Sequence, residues 1–178
     1  RMLAKQGIIA AADLAAIETQ FHHLVRTLPS NGLIIANAIG NSLKRVLERG
    51  CWTPQEWFND DAGWRAGEAS AEGGFAVSLA GKEIGRTTLA LPGAHNRANA
   101  LAAIAAARHA GVSPQIALQS VERFQGVKRR LEVRGTVRGV TVYDDFAHHP
   151  TAIAATIEGL RGRVDKARII AVLEPRSN

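Results

Sequence analysis

VTVYDDFAHHPTAIAATIEGL, residues 140–160, followed by RIIAVL at 168–173, is the stretch whose reading decides the fold. Val140 to Tyr143 is rich in β-branched and aromatic residues and reads as a strand. Pro150 suits the first turn of a helix, so Thr151 to Leu160 reads as helix, and the short apolar run Arg168 to Leu173 reads as a second, buried strand. Strand, helix and strand make a βαβ unit, whose crossover is right-handed in nearly all proteins, and this is the opening of a Rossmann-like α/β sheet. A parallel sheet of two strands is not a domain, so the chain is expected to continue beyond Asn178.

Working outward, Leu131 to Val137 and Val140 to Tyr143 form a hairpin turning at Arg138 and Gly139. Upstream, Ser113 and Pro114 open a helix that carries Ala117, Leu118, Val121 and Phe124 inward, and Gly126 ends it. Ala94 to His109 is dominated by alanine, the strongest helix former, with Gly111 suited to its C-terminal cap. Phe75 to Leu79 and Ile84 to Leu91 read as a second hairpin. Leu33 to Ala36 is a short strand followed by a helix capped by Asn41 or Ser42 and ended by Gly50. Leu14, Ile17, Phe21, Leu24 and Val25 form one apolar stripe on a helix from Ala12 to Leu28. Between Cys51 and Gly74 the periodicity fades around three tryptophans, and no element is assigned there.

Composition narrows the class. With 46% apolar and 21% charged residues the chain has the makeup of a globular protein, not a disordered one. A single cysteine, Cys51, rules out an internal disulfide framework and favours a reducing, cytoplasmic setting. No apolar stretch is long enough to span a membrane. The net charge of +6 suits an anionic partner, but the cations are scattered and aromatics make up only 5%, which argues against extended nucleic-acid binding.

Four clusters carry chemistry. In GAHNRAN (93–99), residues three and four apart share a helix face, so Asn96 with Asn99, or His95 with Asn99, can address one ligand, and an asparagine amide matches the donors and acceptors of an adenine edge. Asn96 serves equally well as a helix cap. KRRLE (128–132) offers three cations before a strand, where neighbours alternate sides; Arg130 is favoured for a bidentate phosphate contact, against a solvated basic turn. YDDFAHHP (143–150) sits at a strand's carboxyl end, where open α/β sheets bind ligands, and puts His149 at a helix N-cap where it caps poorly. Its paired histidines and carboxylates could bind zinc, but adjacent residues rarely converge on one ion without further ligands and the lone Cys51 supplies none, so no metal is assigned to them. EPRSN (174–178) follows the second strand and places Arg176 in the same crevice as Asp145 and His148.

Together these motifs resemble the Mur ligase family. YDDFAHHP with FHHLVR (21–26) and EPRSN points to the branch joining UDP-N-acetylmuramate to the murein tripeptide L-Ala-γ-D-Glu-meso-diaminopimelate in peptidoglycan recycling. The resemblance implies a cytoplasmic, ATP- and Mg2+-dependent ligase that forms an amide through an acyl phosphate. It further implies that residues 1–131 are the C-terminal portion of a central ATP-binding domain, and 132–178 the start of a Rossmann-like C-terminal domain. By the same resemblance His95, Asn96 and Asn99 contact adenine, Arg130 the phosphates or ribose, and Asp145 the ribose hydroxyls. His148 and Arg176 face the carboxylate of the incoming tripeptide. The sequence has no Gly-Lys-Thr phosphate loop, and the family's magnesium ligands fall mostly outside it, so the chain alone is expected to be inactive and to hold no catalytic residue. The alternatives are the branch that adds L-alanine to UDP-N-acetylmuramate, and a non-catalytic nucleotide-binding module.

Overall fold

The structure is a computed structural model that describes residues 10–70 and 72–174. Five strands form one mixed sheet in sequential order: β1 (Ile34–Asn37), β2 (Gln55–Phe58), β3 (Trp64–Ala66), β4 (Gly74–Leu79) and β5 (Lys82–Thr88). The pairs β1–β2 and β2–β3 are parallel, while β3–β4 and β4–β5 are antiparallel. A second, two-stranded antiparallel sheet joins β6 (Glu132–Val137) to β7 (Val140–Asp144). The helices are α1 (Ala11–Thr27), α2 (Asn41–Glu48), α3 (Ala94–His109), α4 (Pro114–Glu122) and α5 (Pro150–Val164).

The alanine-rich α3 packs on the five-stranded sheet because its small side chains let helix and sheet approach closely. Ala100, Leu101, Ile104 and Ala105 are buried against Trp64, Phe75, Val77 and Leu89. Helix α4 joins through Ala117 and Leu118, capped by the Ser113 hydroxyl and opened by Pro114. Its Leu118 carbonyl accepts the buried Thr87 hydroxyl at 2.8 Å, and Leu118 Cδ1 would lie 2.7 Å from a Cβ at Gly85, so a side chain there would push the Leu118 methyl aside. Helix α1 leans on α2 through polar contacts: Glu18 pairs with Arg45, Thr19 accepts from Arg49, and His22 Nε2 meets the Gly50 carbonyl at 3.1 Å.

Several expectations change. The unassigned stretch holds β2 and β3, whose Trp64 is fully buried and donates its indole N–H to Glu56 at 2.6 Å. The N-cap of α2 is Gly40, at φ 90°, not Asn41 or Ser42. Helix α4 ends at Glu122, which leaves Phe124 beyond it and 43% exposed instead of inward. Residues 128–130 lie in a turn before β6, with Arg129 (φ 58°) and the following Leu131 (φ 47°) in the left-handed region, so strand alternation does not govern which way they face. Residues 168–173 form no strand: Ile170 and Val172 are 71% and 92% exposed, because no β partner is paired with them among the described residues. No helix is long and apolar enough to cross a membrane among those residues.

Candidate nucleotide and substrate site

Pro92 and Gly93 lead into α3 and put His95, Asn96 and Asn99 in its first two turns. Gly93, at φ 102°, is the N-cap and takes a conformation that a side chain would strain. Asn96 does not cap α3 through an acceptor. Its Nδ2 donates to the Pro92 carbonyl at 2.7 Å, so one amide hydrogen is committed to the loop. Asn99 is exposed.

The same loop receives the second sheet's helix. A Cβ at Gly159 of α5 would lie 3.2 Å from the Pro92 carbonyl oxygen and 3.3 Å from Gly93 Cα, so the two backbones approach at van der Waals distance. A mid-helix glycine costs roughly 1 kcal/mol relative to alanine, and here it admits that close approach. The contact brings the start of α5, with His149 as N-cap, next to the start of α3. His149 makes no side-chain cap bond.

Asp145 ties these pieces together. Its Oδ2 accepts the Leu131 N–H at 2.9 Å, while Oδ1 accepts the Ala147 N–H at 2.8 Å and the Thr156 hydroxyl at 3.4 Å. One carboxylate thus anchors the basic turn, its own loop and α5. Its charge also reaches His95, as does that of Arg130. Partial burial lowers the His95 pKa from its ordinary value; Asp145 opposes the shift and Arg130 adds to it. The structure therefore brings His95, Arg130 and Asp145 into one electrostatic neighbourhood although they are far apart in sequence. Arg130 is exposed, with no carboxylate at ion-pair distance among the described residues.

His148 is exposed, and its Nδ1 lies 3.0 Å from the Phe146 carbonyl oxygen. Arg176 lies outside the described residues. Sequence reasoning missed the Gly159 contact, for which an isolated glycine inside a helix pattern was the available signal. It also missed Thr156, a threonine on a helix with nothing to mark it, and the stacking of Arg129 on Phe146, where the Arg129 guanidinium carbon is 4.8 Å from the ring centroid.

Residues 129–178 match the Mur ligase glutamate ligase domain. Over 168 residues the chain is 51% identical to the UDP-N-acetylmuramate–L-alanyl-γ-D-glutamyl-meso-2,6-diaminoheptandioate ligase of Escherichia coli K12, a match covering 93% of this chain and 37% of that enzyme. It is 36% identical over 168 residues to the UDP-N-acetylmuramate–L-alanine ligase of Caldanaerobacter subterraneus, covering 90% of this chain and 36% of that enzyme. A crystal structure of the murein peptide ligase from Psychrobacter arcticus superposes with a TM-score of 0.67 at 44% identity, over 93% of this chain and 36% of the other. The chain thus spans little more than a third of the length of these relatives. With sequence and architecture agreeing over nine-tenths of its length, the chain belongs to the Mur ligase family.

Proposed function

We propose that this segment holds the adenine nucleotide and the tripeptide in an ATP-dependent ligase that joins UDP-N-acetylmuramate to L-alanyl-γ-D-glutamyl-meso-diaminopimelate. The observation that carries the reading is that Asp145 bonds the basic turn at Leu131 N–H while α5 packs through Gly159 on the Pro92–Gly93 loop, so that the charges of Asp145 and Arg130 act on His95. The identity to the tripeptide ligase, 51% against 36% to the alanine ligase, favours the tripeptide.

The residues present fit an adenine nucleotide. A carboxylate has about four lone-pair sites, and Asp145 uses three, leaving about one acceptor for a ribose hydroxyl. Asn96 keeps its carbonyl oxygen and its second amide hydrogen for adenine, beside exposed His95 and Asn99. Arg130 has a free guanidinium fork for phosphate or ribose. ATP, when bound, activates the muramoyl carboxylate by phosphorylation; magnesium is assigned to residues outside this segment. His148 and Arg176 hold the tripeptide, and all these groups orient and neutralise charge, the task that dominates phosphoryl transfer.

The test replaces the corresponding segment of the Escherichia coli ligase with this chain and measures ATP-dependent ligation with tripeptide and with L-alanine. Ligation of the tripeptide is expected. Ligation of L-alanine instead would assign the chain to the other branch. ATP binding without ligation of either amine, in a chimera that folds, would leave only a nucleotide-binding module and overturn the proposal.

A further inference from the structure

The basic turn supplies more than Arg130. The Arg129 guanidinium carbon lies 4.8 Å from the centroid of the Phe146 ring, and its Nε is 3.7 Å from Asp144 Oδ2. Its backbone is held as well: Arg129 N–H donates to Glu132 at 2.9 Å, and its carbonyl accepts the Phe146 N–H at 2.9 Å. Phe146 in turn meets the His148 ring edge-on, with centroids 5.1 Å apart and planes at 65°. Guanidinium, phenyl and imidazole thus form one contiguous column from the turn to the loop, the cation over the ring face and the imidazole edge-on. A planar guanidinium stacks on an aromatic face in a way that an ammonium does not.

The column acts on a definite proton. The Phe146 carbonyl can only accept, so the His148 Nδ1 facing it at 3.0 Å carries the hydrogen, and the neutral ring then has its lone pair on Nε2. A free histidine favours the other tautomer, with hydrogen on Nε2. An acceptor at Nε2 suits an N–H donor, such as the amine of an incoming peptide, and protonation converts it to a donor for a carboxylate.

We propose that Arg129 is a positioning residue, which through Phe146 fixes the His148 ring so that its Nε2 is offered to the incoming amino substrate. Its contacts bind it to the loop, not to a ligand. The role assigned to His148 rests on the function proposed above, whereas the ring geometry and tautomer do not.

The first test therefore uses no substrate. Imidazole 15N shifts of His148 in the full chain report the tautomer directly at a pH where the ring is neutral. The wild-type chain is expected to show the hydrogen on Nδ1, and Arg129→Ala to move His148 toward the Nε2–H form. Phe146→Leu should do the same. The double variant should add little, because both changes break one column, and Arg129→Lys should restore only part of the wild-type signal. His95 shifts in the same spectra control for general unfolding. A His148 tautomer unchanged in Arg129→Ala, or effects of the two single variants that simply add, would overturn the proposal. In the active chimera, Arg129→Ala should raise KM for the tripeptide about two- to fivefold, the effect of losing a cation–π contact at a partly exposed site, with KM for ATP unchanged. A shifted tautomer with unaltered tripeptide KM would refute the substrate role while leaving the ATP assignments standing.

Discussion

Replacing Asp145 with alanine tests whether this carboxylate holds the junction together as well as serving a ligand. It accepts two backbone N–H groups, those of Leu131 and Ala147, and the Thr156 hydroxyl. A hydrogen bond to a charged group contributes about 1.5–3 kcal/mol, and Leu131 is 92% buried, so its N–H would have little water to turn to. Taking the lower end for each backbone bond, since Asp145 is itself partly exposed, Asp145→Ala should cost about 3 kcal/mol locally. Asp145→Asn keeps one acceptor oxygen but turns an amide donor toward one of the two N–H groups, so it should lose about half as much. Native-state amide exchange reads both effects at the bonded groups: protection should fall roughly tenfold at one of Leu131 and Ala147 in the asparagine variant, and roughly tenfold at both in the alanine variant. A carboxylate serving only the ribose would weaken ATP binding and leave both amides as protected as before. That result would refute the reasoning.

The His95 imidazole should titrate below about pH 6.5, and Arg130→Ala should bring its titration back toward that value, as followed by its ring proton shifts in NMR. Because folding lowers this pKa, the unfolded chain binds more protons as pH falls through that range; the stabilisation from a neutral His95 is therefore full above about pH 6.5 and is lost toward the lower folded value, and urea unfolding of wild type against His95→Gln should show a difference that closes there. Trp64→Phe should destabilise the first sheet by about 1–3 kcal/mol in denaturant unfolding followed by circular dichroism, since it leaves a gap and strips Glu56 of its indole donor, although Arg108 still reaches Glu56 at 2.8 Å. In the chimera, Arg130→Ala should raise KM for ATP and spare the tripeptide, whereas equal losses for both substrates would sink the separation of the two arginines.

What was legible in the sequence depended on how local its cause was. Helices α3, α4 and α5 announced themselves through alanine content, Ser-Pro and Pro starts and apolar spacing, and both hairpins through alternating side chains around glycine turns. β2 and β3 did not, because Gln55–Phe58 and Trp64–Ala66 are short, and Trp64 is buried by α3, which lies thirty residues on. The candidate site divides the same way. His95, Asn96 and Asn99 share one helix start and could be grouped from spacing, but the influence of Asp145 on His95 depends on Gly159 sitting against Pro92 and Gly93, a fact of tertiary packing. Residues 168–173 mark the limit most sharply. Their apolar run reads as a buried strand, yet a strand is a property of a pair, and with Ile170 and Val172 facing solvent and no ladder formed, the run keeps the composition of a strand without its hydrogen bonds. Valines on the β6–β7 hairpin are exposed in the same way, Val137 at 68% and Val140 at 64%. Both sets of apolar groups are the kind a larger sheet would cover, so the second unit should gain stability when this segment sits within a ligase of the relatives' length. Amide exchange across 132–174 in the chimera should be slower than in the chain alone, and equal rates would show that the hairpin and α5 stand without further cover.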